Sequence, residues 1–531
     1  MRSTWAVMNR TSITLAAWYV VVCVPALHAQ GRHVDVVIRG GTVVDGTGAL
    51  ARQADVGITK DRIVFVGNAT ASLVTGSRTI DATGLIVAPG FIDPHSHTLE
   101  DLSSRERRSN VGYLMQGVTT VVTNNDGGGT IEIGKRLRAW AADSIGTNAA
   151  LYVPQGAVRG AVLGMSDATP TSAQLDSMRA IVARGMREGA IGMSTGLYYA
   201  PGSYALTGEV VELAKVAARF GGIYDSHMRD EGSYTPGGVV GSVNETIRIG
   251  REAHMPVHIS HIKALGTDVW GQSDSIVAII KAARAQGLDV TADQYPYLAS
   301  GTSVGASLLP RWSEVGGRDS LRARVADPAT KARLVGEMER NLVRRGGPAS
   351  LLITATRDTT ILGRTLEQVA AARHVAPVEA ALQVILAGDA SVASFNMKES
   401  DLETFMVQPF VMTGSDGSSG HPRKFGTYAR KLRAFVYDKP LLSLPQAIRS
   451  SSGLTAETLR IADRGVLAEG KFADVIVFDP RTVRDRATYQ QPTLFAAGMR
   501  YALVNGVVAV SDGIYTGALA GRPLPRLAPQ F

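Results

Sequence analysis

Ala88-Pro89-Gly90-Phe91-Ile92-Asp93-Pro94-His95-Ser96-His97 is a short apolar run that ends in two histidines one residue apart. Gly-Phe-Ile-Asp is the length of one buried strand. In an extended chain positions i and i+2 point to the same side, so His95 and His97 can face one point and share one ion. A His-x-His pair alone arises by chance; its place at the end of a buried strand gives it meaning.

Seven further runs of the same kind follow between about 90 and 450: TTVVTNND, AALYVPQG, GAIGMSTG, GGIYDSH, MPVHISH, LDVTADQYPY and PFVMTGSD. Amphipathic stretches lie between several of them. In TSAQLDSMRAIVARGMREG, Leu175, Met178, Ile181 and Val182 share one face at i, i+3 and i+4 spacing. Eight βα units point to a closed (β/α)₈ TIM barrel, although a doubly wound sheet fits the count as well. The chemistry decides between them. His95, His97, Asp126, His227, His261, Asp293 or Tyr295, and Asp416 all stand at the C-terminal ends of these runs. In a barrel those ends meet at one mouth; in an open sheet they would be strung along an edge. A metal site requires that they meet.

The flanks read differently. VDVVIRGGTVVDGTG, ADVGITKDRIVFVG and RTIDATGLIVAPG are short β-branched runs punctuated by Gly and Asp-Gly. KFADVIVFDP and MRYALVNGVVAVSDG resume the pattern near the C-terminus, with Asn505-Gly506 as a hairpin turn. The expected organisation is a β-sandwich built from both ends (30–89 and 451–531) beside a barrel at 90–450. A charged insertion at about 298–350 follows the seventh strand. Residues 1–29 carry Arg2 and Arg10, then the apolar run Ile13–Leu27, then small residues around Ala26 and Ala29. That is the order of a secretory signal cleaved after Ala29, which predicts a secreted or periplasmic protein with no stable membrane span; a retained anchor is the alternative.

The single cysteine, Cys23, lies inside that segment. The mature chain then has no disulfide and no thiolate, so catalysis falls to His, carboxylates and Lys. The formal charge of +8 is scattered, with Arg105, Arg107 and Arg108 the densest cluster. Without aromatic interleaving this is a solvated surface and not a nucleic-acid site.

His227 in YDSHMRDE and His261 in HISHIKALG each close an apolar run, as His95 and His97 do. A lone histidine there is commonly structural, but four at equivalent ends form a ligand set; His254 and His258 lack that placement. Asp416 in VMTGSDGSSGHPR stands opposite the histidines in a closed barrel. There it can touch a metal and move a proton, or simply cap a turn. Imidazole and carboxylate suit Zn²⁺, one ion or two, with other divalent ions possible. Zinc brings the pKa of its water towards about 7, so no protein nucleophile is needed.

The chain resembles the amidohydrolase superfamily and, within it, the N-acyl-D-amino-acid deacylases (D-aminoacylases). The motifs that carry this are APGFIDPHSH, QGVTTVV, IGMSTGLYYAPG, YDSHMRDE, ISHIKALG, ADQYPYLAS, LLPRW, MTGSDG, HPRKFGT and ADRGVLAEGKFADVIVFDP. The resemblance implies a barrel with a β-sandwich, zinc, and hydrolysis of N-acyl-D-amino acids. It assigns His95, His97, His227 and His261 as metal ligands, Asp416 as ligand and catalytic acid/base, and Lys263, Tyr295 and Arg423 to the substrate. Arg423 suits bidentate capture of a carboxylate.

There are two departures. Those relatives carry Asn-Cys-Gly after QGVTTVV, the cysteine a ligand; here TNNDGGG puts Asp126 in its place, a harder ligand that can bridge two ions. No lysine stands in the fourth strand, so a carboxylated-lysine bridge is not expected. The loop SDGSSGHPR is also shorter than in those relatives, beside Arg423. The competing readings are a periplasmic dipeptidase or cyclic amidase and, from another class, an inactive barrel that binds a small molecule. The sequence does not give the oligomeric state.

Overall fold

The eight apolar runs form eight short parallel strands: Phe91–Asp93, Val118–Thr123, Asn148–Leu151 prolonged by Val153–Pro154, Gly192–Gly196, Ile223–His227, Val257–Ile259, Val290–Gln294 and Val411–Thr413. Each pairs in parallel with the next. The circle closes where Ser96 bridges Gly417 and the Asp416 N–H donates to the His95 carbonyl at 2.9 Å. An open doubly wound sheet has two free edges, and this arrangement has none. The strands are buried throughout, as parallel strands covered by helices must be. This computed structural model describes residues 1–4, 6 and 31–526. Apart from those first few residues, the expected signal segment with Cys23 and Ala29 lies outside the described residues.

Local chemistry explains the helices. Helix Ser172–Arg187 begins at a capping box, in which Thr171 Oγ1 accepts from Gln174 N–H and Gln174 Oε1 accepts from Thr171 N–H. Met178 and Val182 are buried on its inner face, and Leu175 and Ile181 pack at the margin of the same core. Among the described residues no single helix is long and apolar enough to cross a membrane.

Both chain ends build the β domain. Its nine strands are hydrogen-bonded as one sheet, joined where Ile86–Pro89 pairs antiparallel with Val475–Phe478. Alternation assigns the two faces. Val87, Val475 and Val477 enter the domain's own core, while Ile86, Ala88, Ile476 and Phe478 enter the barrel's. Asn505 and Gly506, both at positive φ, make the expected hairpin turn. Helices Leu444–Ser451 and Gly453–Leu459 pack on the first barrel strand, so the barrel layer runs past residue 451.

The insertion spans Ala299–Phe395, further than the expected 298–350. Strand Ser391–Phe395 is the middle one of three, antiparallel to both Ala299–Ser303 and Leu351–Ala355. Because the central strand comes last, the unit is incomplete before it. It has a separate core of Leu308, Leu342, Ile353, Leu382 and Val392. Its inner edge (Ser300, Thr302, Thr354) lines a cavity over the barrel mouth.

Candidate active site and metal centre

The strand ends bring six nitrogen and oxygen donors together. His95, His97, Asp126 and Asp416 form one group, and Asp126, His227 and His261 another, with Asp126 common to both. Asp126 Oδ1 lies 3.4 Å from His95 Nε2, 3.6 Å from His227 Nδ1 and 3.5 Å from His261 Nε2. Its Oδ2 is 3.4 Å from His97 Nε2. Asp416 Oδ1 is 3.0 Å from His97 Nε2 and 3.7 Å from His95 Nε2. Asp416 therefore stands beside the two histidines, across the closing seam and not opposite them, because the last strand neighbours the first.

The donor set fits a divalent ion. With metal–ligand lengths of about 2.0–2.1 Å, two donors on one tetrahedral ion are separated by roughly 3.3 Å, the spacing seen here. His95 Nε2 and Asp126 Oδ1 are buried without any hydrogen-bond partner among the described residues, a costly state for polar atoms unless a cation satisfies them. His227 Nδ1 and His261 Nε2 approach to 2.8 Å, both on the side of Asp126 Oδ1. The field favours positive charge. Burial works against protonation of His97, yet Asp126 and Asp416 outweigh it and raise its pKa to about 9. Burial would raise the pKa of Asp416 too, but Arg423, with Nη1 2.8 Å from Oδ2, holds it well below the usual carboxylate range.

A second layer orients the ligands. Glu231 Oε1 lies 3.0 Å from His261 Nδ1 and accepts from Lys263 Nζ at 2.6 Å. His261 Nδ1 also lies 2.7 Å from Lys263 Nζ, so Glu231 and Lys263 together hold this nitrogen and turn Nε2 towards the donor cluster. Beneath His95, Asp293 Oδ2 lies 3.8 Å from Nδ1 and 2.8 Å from His258 Nε2; His258 Nδ1 meets Thr291. His258 thus supports the site from below, although its place one residue inside a strand excludes it from the ligand set. Glu231 was not singled out from the sequence; its spacing four residues after His227 was the available signal.

The cavity above measures about 860 Å³ and is lined by Lys263, Tyr295 and Arg423 together with His97, Asp126, His227, His261 and Asp416. The expected substrate residues and the donor set therefore share one chamber. Arg423 stacks 4.7 Å from the Tyr295 ring centroid, its Nη2 donates to Ser418, and its Nε has no partner. The arrangement can hold a cation, anchor a carboxylate beside it, and accept a proton between the two.

Known proteins share this architecture. Residues 78–510 match the amidohydrolase family. The D-aminoacylase of Alcaligenes xylosoxydans xylosoxydans is 34% identical over 93% of this chain and 98% of its own. A solved D-aminoacylase structure, concerned with a binuclear metal centre activated by one metal and attenuated by a second, superposes with a TM-score of 0.79 at 34% identity, covering 93% of this chain and 100% of that one. The N-acyl-D-glutamate deacylase of Bordetella bronchiseptica, solved with zinc and a phosphonate mimic of the tetrahedral intermediate, gives 0.79 at 32% identity, covering 93% and 100%.

Proposed function

This chain belongs to the amidohydrolase family, and from that premise we propose that it is a zinc-dependent N-acyl-D-amino-acid deacylase. The reaction is hydrolysis of an N-acyl-D-amino acid to a carboxylate and a free D-amino acid. The observation that carries this reading is the joining of six His and Asp donors, two of them orphaned buried atoms, to Arg423, Lys263 and Tyr295 in one cavity. The likeness to D-aminoacylase along nearly the whole chain supports the choice of substrate.

His95, His97, His227, His261, Asp126 and Asp416 would hold the metal, with Asp126 shared between two positions. A divalent ion there supplies Lewis acidity, polarising the acyl carbonyl and making water acidic enough to attack near neutral pH. Asp416, kept ionised by Arg423, takes a proton from the attacking water and delivers it to the amide nitrogen as the C–N bond breaks. Arg423 Nε, Tyr295 Oη and Lys263 Nζ hold the carboxylate beside that bond and fix the carbonyl over the donor cluster. The order of charged, apolar and small residues in 1–29 supports export to the periplasm; an N-terminus at Gln30 in the mature protein tests this.

Zinc-loaded protein assayed on N-acetyl-D-amino acids, their L forms and dipeptides should cleave the D substrates. Cleavage of L forms or dipeptides alone overturns the assignment. Asp416→Asn should lower kcat by roughly 10²–10⁴-fold with metal content retained. Full activity in that variant removes Asp416 from its role.

A further inference from the structure

Four arginines are buried among the described residues: Arg159, Arg345, Arg423 and Arg464. Three of them face a carboxylate, Arg159 at Glu209, Arg423 at Asp416 and Arg464 at Asp474. Arg345 faces none among the described residues. It is only 2% exposed, and it lines the same cavity as the donor cluster. Its Nη2 donates to Tyr198 Oη at 2.9 Å, and its Nε has no partner. The guanidinium rests 5.6 Å from the Tyr234 ring centroid and 6.0 Å from that of Tyr198. Two phenol rings offset part of the cost of removing this cation from water, but they do not replace an anion.

Position gives this guanidinium a meaning. The Tyr198 ring also lies 5.9 Å from the His227 ring, so one tyrosine neighbours both Arg345 and the donor cluster. Arg423 already serves the carboxylate next to the scissile amide. Arg345 caps the helix Pro328–Arg344 of the insertion, and both it and Arg423 line the one cavity, so a substrate held at Arg423 shares its chamber with a second guanidinium that has no counter-ion among the described residues.

We infer that Arg345 reads a second carboxylate on the substrate, so that the preferred substrate is a diacid. The inference rests on the deacylase reading and narrows it. Two sources carry this chemistry: the side chain of D-glutamate or D-aspartate, and the far end of a dicarboxylic acyl group such as succinyl. A planar guanidinium with free N–H groups in a desolvated wall captures either as a charge-assisted pair.

The test compares N-acetyl-D-glutamate, N-succinyl-D-leucine and N-acetyl-D-leucine in the zinc enzyme and in Arg345→Met, whose side chain keeps the packing. Wild type should prefer at least one diacid. Arg345→Met should lower kcat/KM for that diacid by roughly 10- to 100-fold, the worth of a hydrogen-bonded charge pair, and leave N-acetyl-D-leucine within about threefold. The loss should appear mainly in KM, and Arg345→Lys should restore part of it. Which diacid responds identifies the source. A wild-type enzyme that prefers N-acetyl-D-leucine to both diacids, or a variant that lowers all three substrates alike, overturns the inference. If no D substrate is cleaved, the deacylase reading fails on its own. Binding of glutarate, followed by the shift in melting temperature, then decides for Arg345: a shift in wild type that Arg345→Met lacks supports it, and equal shifts refute it.

Discussion

Asp126 joins the two donor groups from a backbone at φ +57, and Asp416 and His261 also sit at positive φ. Aspartate tolerates that region better than most residues, since its short polar side chain bonds locally. The cost is accepted where the chain must turn a donor inward at a strand end. Lys431 shows the opposite economy, a charge with no partner. Its Nζ is buried, bonded among the described residues only to the hydroxyls of Thr413 and Ser450, and burial lowers its pKa to about 7. Between roughly pH 7 and 10 the unfolded chain therefore binds more protons than the folded one, and stability rises with pH. Below about 7 the penalty is present in full. Lys431→Met should raise stability by a few kcal/mol (about 2–4) at pH 6, with a gain that fades as pH approaches 10. Both hydroxyls keep another partner, Ser451 and the Ala447 carbonyl. Thermal melts of the two proteins across that pH range check the prediction, and a gain independent of pH would contradict it.

At the scale of elements, the barrel positions its chemistry by close approach of strand ends. The fourth strand ends at Gly196, where an added Cβ would lie 2.0 Å from the Asp126 carbonyl oxygen. Only glycine lets the Asp126 turn sit there. Gly196→Ala should displace Asp126 and lower metal affinity or activity by roughly 10- to 100-fold, measured as zinc per chain after dialysis. The strand ends were legible in the sequence because a buried parallel strand is a continuous apolar run, and a histidine or aspartate that closes such a run has one direction to face. Glu231 and the Asp293–His258 pair were harder to see. They act on ligands through contacts across different strands, which no local spacing encodes. Asp126 was visible as a departure from a motif, but its shared position between two groups follows only from the way the strand ends meet.

In the whole molecule, the seam between barrel and β domain is polar as well as apolar. Asp474 is 3% exposed; it accepts from Arg464, from Asn148 Nδ2 at 3.2 Å and from the Asn505 N–H at 2.8 Å, tying the third barrel strand to the C-terminal hairpin. Asp474→Ala leaves Arg464 buried beside Asn505 without a counter-charge and should destabilise by about 3–5 kcal/mol, read from chemical denaturation. Asp474→Asn should lose less. The two-ended β domain could be read from its repeated short runs, whereas the insertion could be read only in its first half. Its helices 366–373 and 377–387 look like any barrel helices, and nothing local marks the strand that returns at 391. The pairing of Ile86–Pro89 with Val475–Phe478 has one more consequence, which concerns time. A ribosome delivers the first partner early and the second only after every barrel strand has emerged. Until then the strand at 86–89 presents a bare hydrogen-bonding edge, so the domain that begins the chain is the last to become native. A nascent chain halted before Val475 would carry a closed barrel on an unfinished foundation.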